Sequence, residues 1–207
     1  MLERTYYLKP STSSFRVKRF QLFLERLQVK STDRILDVGG RAETWEGTGL
    51  EGSVTLLNIE HFESRREPFG WITADACEMT ALPDRSFDVV FSNSVIEHVG
   101  DFDRQQKMAR EVQRVSKKYW VQTPYRHFPL EPHFLFPFYQ YLPRSSRIAV
   151  GKVWPFSHAK VLGLDPVREA DNIWLLDRRQ FASLFNDAVI LDERFWGMTK
   201  SLVAARY

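Results

Sequence analysis

The chain has 207 residues, 43% of them hydrophobic and 27% charged, with a net charge of +3. That is enough material for a full core, and it excludes a disordered, fibrous or collagen-like chain. The near-balanced charge lacks the dense basic stripe of a duplex-binding protein, so no nucleic-acid partner is expected. The basic pairs Arg65–Arg66, Lys117–Lys118 and Arg178–Arg179 stand apart and read as solvated surface.

The length predicts one domain, 1–207, with a modest insertion. The first segment, 15–29, sets Phe20, Phe23, Leu24 and Leu27 at helical spacing with charges between them. This is an amphipathic helix, part of an N-terminal cover over 1–34, with caps available from Ser11 to Ser14. Ile35–Val38 is a short apolar run ending at Gly39-Gly40, as a buried parallel strand does. Further strands follow at 54–60, 70–76, 87–93 and 119–123, with a helix over 103–117 that puts Met108, Val112 and Val115 on one face. Strands joined by helical or loop crossovers predict a mostly parallel α/β sheet. After a short helix at 177–185, strands 188–195 and 201–205 lie too close in sequence for a parallel crossover. They are expected to form an antiparallel hairpin at one edge.

Between the fifth strand and the last helix, residues 124–172 break the pattern. Prolines at 124, 129, 132, 137 and 143 interrupt any long helix, and seven aromatics fall within 125–141. The segment is expected to cover one end of the sheet and to act as a lid that shapes an acceptor pocket.

Ligands of open α/β sheets bind beyond the carboxyl ends of the strands. There the sequence places Asp37, Gly39 and Gly40 after strand one, Glu60 after strand two, Asp75, Ala76 and Cys77 after strand three, and Asn93, Ser94, Glu97 and His98 after strand four. One acid per strand end describes a nucleoside site. A dinucleotide would need a G-x-G-x-x-G phosphate cradle, whereas this loop reads DVGGRAETW and carries acids that repel phosphate. S-adenosylmethionine has no phosphate and bears a sulfonium cation, so the charges favour it.

At ILDVGG (35–40), LLNIE (56–60), the long block TADACEMTALPDRSFDVVFSNSVIEHV (73–99) and the run ending in VQTP, the chain resembles small, standalone class I S-adenosylmethionine-dependent methyltransferases of the type 11 kind. The resemblance covers roughly 30–207. It implies a Rossmann-like sheet and a set of roles. Asp37, Gly39 and Gly40 frame the methionine moiety, with Asp37 near its amino group, and Glu60 binds the ribose hydroxyls. Asp75 accepts from the adenine amine while Ala76 and Cys77 line its slot, and Asn93 and Ser94 lie near the sulfonium. The loop departs from the family pattern, with Arg41 and Glu43 at the second and third glycine positions.

Methyl transfer to a hydroxyl profits from a general base, most often histidine. Of the five histidines, His98 at the mouth of the site and His127 and His133 in the lid are the candidates, while His61 and His158 read as background. No histidine stands at metal-ligand spacing, and Cys77 has no second cysteine to share zinc, so no metal is expected. The expectation is a cytoplasmic O-methyltransferase of a small-molecule, sugar or glycan-type acceptor. Its cofactor is S-adenosyl-L-methionine, and residues 134–142 are available for peripheral membrane contact. The alternative is a methyltransferase-fold scaffold with weak or no catalysis. A lone cysteine excludes an internal disulfide, which fits a reducing compartment. No run reaches the roughly eighteen apolar residues of a membrane span, and the first residues carry no apolar signal core.

Overall fold

A computed structural model describes residues 13–60 and 67–207; at Ser13 and Ser14 it describes the backbone alone. The proposed serine caps, His61 and the pair Arg65–Arg66 therefore lie outside the described residues. In chain order the elements are α1 (Ser13–Leu27), β1 (Ile35–Val38), β2 (Val54–Asn58), β3 (Gly70–Thr73), β4 (Phe87–Asn93), α2 (Phe102–Val115) and β5 (Ser116–Pro124). A small hairpin, β6 (Leu130–Glu131) and β7 (Phe136–Pro137), opens the lid. Three short helices complete it: α3 (Arg144–Val153), α4 (His158–Leu162) and α5 (Pro166–Asn172). The chain closes with α6 (Arg178–Leu184), β8 (Val189–Phe195) and β9 (Met198–Arg206).

The main sheet has seven strands in the order β3-β2-β1-β4-β5-β9-β8. β1 to β5 are parallel, and β9 is antiparallel to both β5 and β8. The terminal hairpin is thus present, and its second strand inserts between β5 and β8. Burial explains this placement: Leu202, Val203, Ala204 and Ala205 are all buried, whereas β8 alternates exposed and half-buried residues. The continuous apolar run takes the interior position and the alternating one takes the edge.

Two strands end earlier than their apolar pattern predicts. β2 stops at Asn58, whose side-chain amide donates to the Gly40 carbonyl at 3.0 Å, and Ile59 and Glu60 bend out to solvent. β3 stops at Thr73, so Asp75 belongs to the following turn. That turn is a local hydrogen-bonded device: Asp75 Oδ1 accepts from the Cys77 amide at 2.8 Å.

Each face of the sheet carries its own core. On one face α2 and α6 bury Met108, Val112, Val115, Phe181 and Phe185 against Leu36, Val90, Val121 and Leu202. On the other, α1 sets Phe23 and Leu27 on Trp45, Phe91 and Trp120. Phe23 lies 4.6 Å from Phe91 and 6.1 Å from Trp120 between ring centroids, and Trp45 lies 5.7 Å from Phe91. Each such pair contributes about 0.5–1.5 kcal/mol beyond its buried area. α1 also buries a cation. Arg19 donates to Asn93 Oδ1 at 2.5 Å, to Gln122 Oε1 at 2.8 Å, and to both carboxylate oxygens of Glu193 at 3.1 and 2.6 Å. One guanidinium thereby ties the first helix to β4, β5 and β8 at the carboxyl edge of the parallel strands.

Candidate functional site

The glycine loop after β1 is shaped by its own neighbours. Gly39 has φ +72°, and a Cβ there would stand 2.5 Å from Val95; a Cβ on Gly40 would stand 2.0 Å from the Asp37 carboxyl group. Only glycine fits either place. Asp37 is buried and its Oδ2 accepts from the Trp45 indole at 2.7 Å. Burial pushes its pKa up to about 7, with the Trp45 hydrogen bond opposing the rise. Asp37 therefore holds the turn that follows the loop.

The other strand-end residues stand in a row along the sheet. Glu60 is exposed just past β2. Asp75 is half-buried and its Oδ2 pairs with Arg104 at 2.6 Å. Burial works to raise the Asp75 pKa, but the hydrogen bonds from Arg104 and the Cys77 amide outweigh it and hold the carboxyl group below its usual range. Ala76 and Cys77 are buried in the core beneath the turn. The thiol donates to the Arg104 carbonyl at 3.2 Å, and burial pushes its pKa up to about 11, which leaves it inert as a nucleophile. Asn93 is held by Arg19. Ser94, at φ +57°, donates its amide to the Gln122 carbonyl at 3.0 Å and its hydroxyl to Gln122 Oε1 at 2.9 Å.

Past Ser94 the chain makes one turn, Ile96–His98, which sets Glu97 inward and His98 outward. Glu97 is fully buried; its Oε2 accepts from Thr123 Oγ1 at 3.0 Å, and its Oε1 has no hydrogen-bond partner among the described residues. The lid then brings a second group onto this turn. The tip of the β6–β7 hairpin carries His133, whose Nδ1 lies 2.6 Å from Glu131 Oε1, while Glu131 Oε2 accepts the amides of His133 and Phe134 at 2.8 and 2.9 Å. His133 Nε2 lies 3.0 Å from His98 Nε2. His158, at the start of α4, donates its amide to the His133 carbonyl at 2.9 Å, and the two rings lie 5.3 Å apart.

Electrostatics divides these groups. Burial, with the neighbouring His133 and His158, pushes His98 down to about 3, so its imidazole is neutral. Burial also lowers His158, to about 4. Burial alone would lower His133 as well, but the carboxylates of Glu131, Glu97 and Glu169 outweigh it and raise its pKa. Burial pushes Glu97 up to about 7, with His133 opposing the rise.

The three candidate histidines separate. His98 and His133 meet, although they stand 35 positions apart in the sequence. His127 is exposed; its Nδ1 lies 2.5 Å from the Tyr141 hydroxyl, and its ring lies 5.3 Å from Tyr125. Glu97 and Glu131 carry no role in the sequence reading, and His158 reads there as background. The Glu131-Pro132-His133 spacing was the one local sign of the carboxylate–histidine pair. Glu97, His98 and His133 show no metal-ligand spacing in the sequence, yet the fold gathers a ligand atom from each within 4.8 Å of the others where the lid meets the turn.

The lid rests on short helices. A Cβ on Gly151 of α3 would stand 3.0 Å from Pro166 of α5, and Phe134 and Tyr139 stack beneath with centroids 3.7 Å apart. Of the stretch 134–142 expected to meet a membrane, Phe134 and Tyr139 are thus internal, and the exposed apolar side chains are Leu135, Phe138 and Tyr141. Among the described residues no helix is long and apolar enough to cross a membrane.

The strand order and the antiparallel terminal strand are those of the class I methyltransferase fold. Residues 33–119 match the family model described as a methyltransferase domain. No curated protein sequence matches it. Among solved structures, a protein of Pyrococcus horikoshii is 18% identical, with 97% of this chain and 92% of that one covered at a TM-score of 0.57. An S-adenosylmethionine-dependent methyltransferase of Methanosarcina mazei is 13% identical, covering 88% of this chain and 94% of its own at 0.51. PigF with SAH is 13% identical, covering 93% of this chain and 63% of its own at 0.50. At such identities these likenesses establish the fold.

Proposed function

We propose that this protein is an S-adenosylmethionine-dependent methyltransferase that methylates a hydroxyl oxygen of a small-molecule, sugar or glycan-type acceptor. The observation that carries the hydroxyl reading is the Glu131–His133–His98 chain under the lid, at the carboxyl end of β4. The strand-end groups suit the cofactor. A carboxylate at Glu60 fits a ribose diol, and Asp75 with Ala76 and Cys77 forms the adenine side. Asn93 and Ser94 stand at the turn between cofactor and acceptor. Gly39 and Gly40 keep the loop after β1 bare of side chains, and Asp37 positions that loop through Trp45. That a structure of the same fold was solved with SAH supports the choice.

When bound, the cofactor supplies a methyl group whose bond to the sulfonium sulfur breaks as a bond to the acceptor oxygen forms, the C–S electron pair returning to sulfur. The chain's own part is to hold the acceptor and handle its proton. Glu131 fixes the His133 ring by its Nδ1, which leaves Nε2 facing His98. Two ring nitrogens 3.0 Å apart share one proton, so a proton taken at His98 Nδ1 is matched by one passed from His98 Nε2 to His133, the ring that the neighbouring carboxylates make the more basic. A carboxylate–histidine–histidine chain of this kind can draw a proton from a hydroxyl. The test is transfer of a radiolabelled methyl group from S-adenosylmethionine to a panel of hydroxyl, amine and carboxylate acceptors. Label in alkali-stable ether products supports the reading; label only in amines or esters sinks it.

A further inference from the structure

We propose that Glu97, His98 and His133 bind one divalent transition-metal ion, and that the acceptor oxygen completes its coordination. A ligand atom from each of the three residues lies within 4.8 Å of the others. The two Nε2 atoms are 3.0 Å apart, and His98 Nε2 is 3.9 Å from Glu97 Oε1. Metal–nitrogen bonds of about 2.0–2.1 Å place neighbouring ligands roughly 3 Å apart when they meet the ion at right angles. Closing the carboxylate onto an ion held by both imidazoles takes a side-chain shift of roughly 1–2 Å on the same bond lengths, because the cluster spans 4.8 Å.

A second, independent observation points to a cation. Glu97 Oε1 is buried, belongs to a fully buried carboxylate and has no hydrogen-bond partner among the described residues. Leaving such an oxygen unpaired is costly, and the cost is met when a cation binds it. The hydrogen bond between the two histidines leaves this oxygen unsatisfied; an ion between the three groups satisfies it.

The surroundings match what a metal ligand needs. The far nitrogen of His133 is tied to Glu131, and Glu97 Oε2 is tied to Thr123. Such outer hydrogen bonds orient the ring and the carboxylate toward an ion. His98 keeps 39% of its side chain exposed, so the cluster opens to solvent on that side and leaves coordination positions for water or an acceptor. Three protein ligands with open positions are the pattern of a catalytic rather than a structural ion. Two imidazoles and a carboxylate suit Zn²⁺, Fe²⁺, Co²⁺ or Mn²⁺ better than Ca²⁺ or Mg²⁺. The role of the ion rests on the hydroxyl-methylation reading: it holds the acceptor oxygen and lowers its pKa, and the proton passes to water instead of to His98. Binding of the ion does not depend on that reading.

The experiment uses tag-free full-length protein, stripped with chelator and titrated with Co²⁺ by visible absorption and with Zn²⁺ by calorimetry. One equivalent is expected to bind, with cobalt bands characteristic of nitrogen and oxygen ligands. His98→Ala and His133→Ala should each weaken binding at least tenfold, and Glu131→Gln by about 10–100-fold. His127→Ala should bind as the unaltered chain does. Circular dichroism keeps only folded variants in the comparison; His98, half-exposed on a turn, is the substitution that tests the site if the buried ones unfold. Absence of saturable binding at one equivalent overturns the proposal, as does equal affinity in folded His98→Ala. Binding that depends on His98, with no methyl transfer to any hydroxyl, upholds the metal site and overturns the activity reading alone. Full methyl transfer by stripped protein that binds no ion upholds the activity and overturns the metal site.

Discussion

The two halves of the candidate site handle their carboxylates in opposite ways. At the ends of β1 and β3 each internal acid is already answered by the chain: Asp37 by Trp45, and Asp75 by Arg104 and the Cys77 amide. Where the lid meets the turn after β4, Glu97 is fully buried with one oxygen unanswered among the described residues, beside two histidines that face each other. The first arrangement fixes backbone shape along consecutive strand ends. The second leaves chemical capacity open where a turn of the sheet meets the lid.

The largest effect separating the halves is expected at the histidine pair. His98→Ala and His133→Ala should each lower turnover by roughly 10²–10⁴-fold per folded molecule. Cofactor affinity should stay near that of the unaltered chain in both. Single-turnover methyl transfer with a parallel cofactor titration measures this; equal losses in rate and cofactor affinity would dissolve the division into two halves.

Arg19 joins the two halves, and its removal strands Glu193. Burial works to raise the Glu193 pKa, and Arg19 brings it below its usual range. Arg19→Met should therefore cost about 3–5 kcal/mol in urea unfolding, the range for breaking a buried pair. A loss under about 1 kcal/mol, the surface-pair range, would show that the helix is held by its aromatic face alone.

Asp37 makes a pH prediction with a definite sign. Its folded pKa, about 7, lies above the ordinary carboxylate value. Between about pH 4 and pH 7 the unfolded chain has lost this proton and the folded chain keeps it, so stability falls as pH rises through that window. Asp37→Asn, which keeps an acceptor for Trp45, should remove this part of the slope, about 2–4 kcal/mol across the window at roughly 1.4 kcal/mol per pKa unit. Melting curves at several pH values decide it; parallel profiles for both proteins would mean that the carboxylate is ionised within the fold.

Smaller effects should follow at the cofactor groups. Glu60→Ala should weaken S-adenosylmethionine binding by about 1.5–3 kcal/mol, the worth of charged hydrogen bonds, while leaving the melting temperature unchanged. Calorimetry with unaltered affinity would remove Glu60 from the ribose role. The smallest change belongs to His127→Ala, an exposed contact with Tyr141, expected to move stability within about 0.5 kcal/mol. A turnover loss comparable to that of His98→Ala would return His127 to the site.

The parallel strands, the helix faces of α1 and α2, the terminal hairpin and the row of strand-end residues were all legible in the sequence. They follow from local rules: apolar runs for buried strands, 3.6-residue periodicity for helices, and one polar group per strand end. Strand ends were less legible, because Asn58 and Asp75 stop β2 and β3 through hydrogen bonds to the loop and turn beside them. The insertion of β9 between β5 and β8 was decided by which strand had the more continuous apolar run to bury. Arg19 read as one more charge on an amphipathic helix; its carboxylate partner lies 174 positions away, so only the closed sheet brings them together. The same holds for Glu97, His98 and His133. The first two were visible at a strand end, but the third arrives on a proline-broken hairpin whose position is set by packing of the lid, through Phe134 on Tyr139 and α3 on α5. Hydrophobic periodicity determines which elements form and which faces they bury, because those energies are local and additive along the chain. Which polar groups meet at the ends of those elements is a matter of long-range geometry, and the tertiary structure alone decides it.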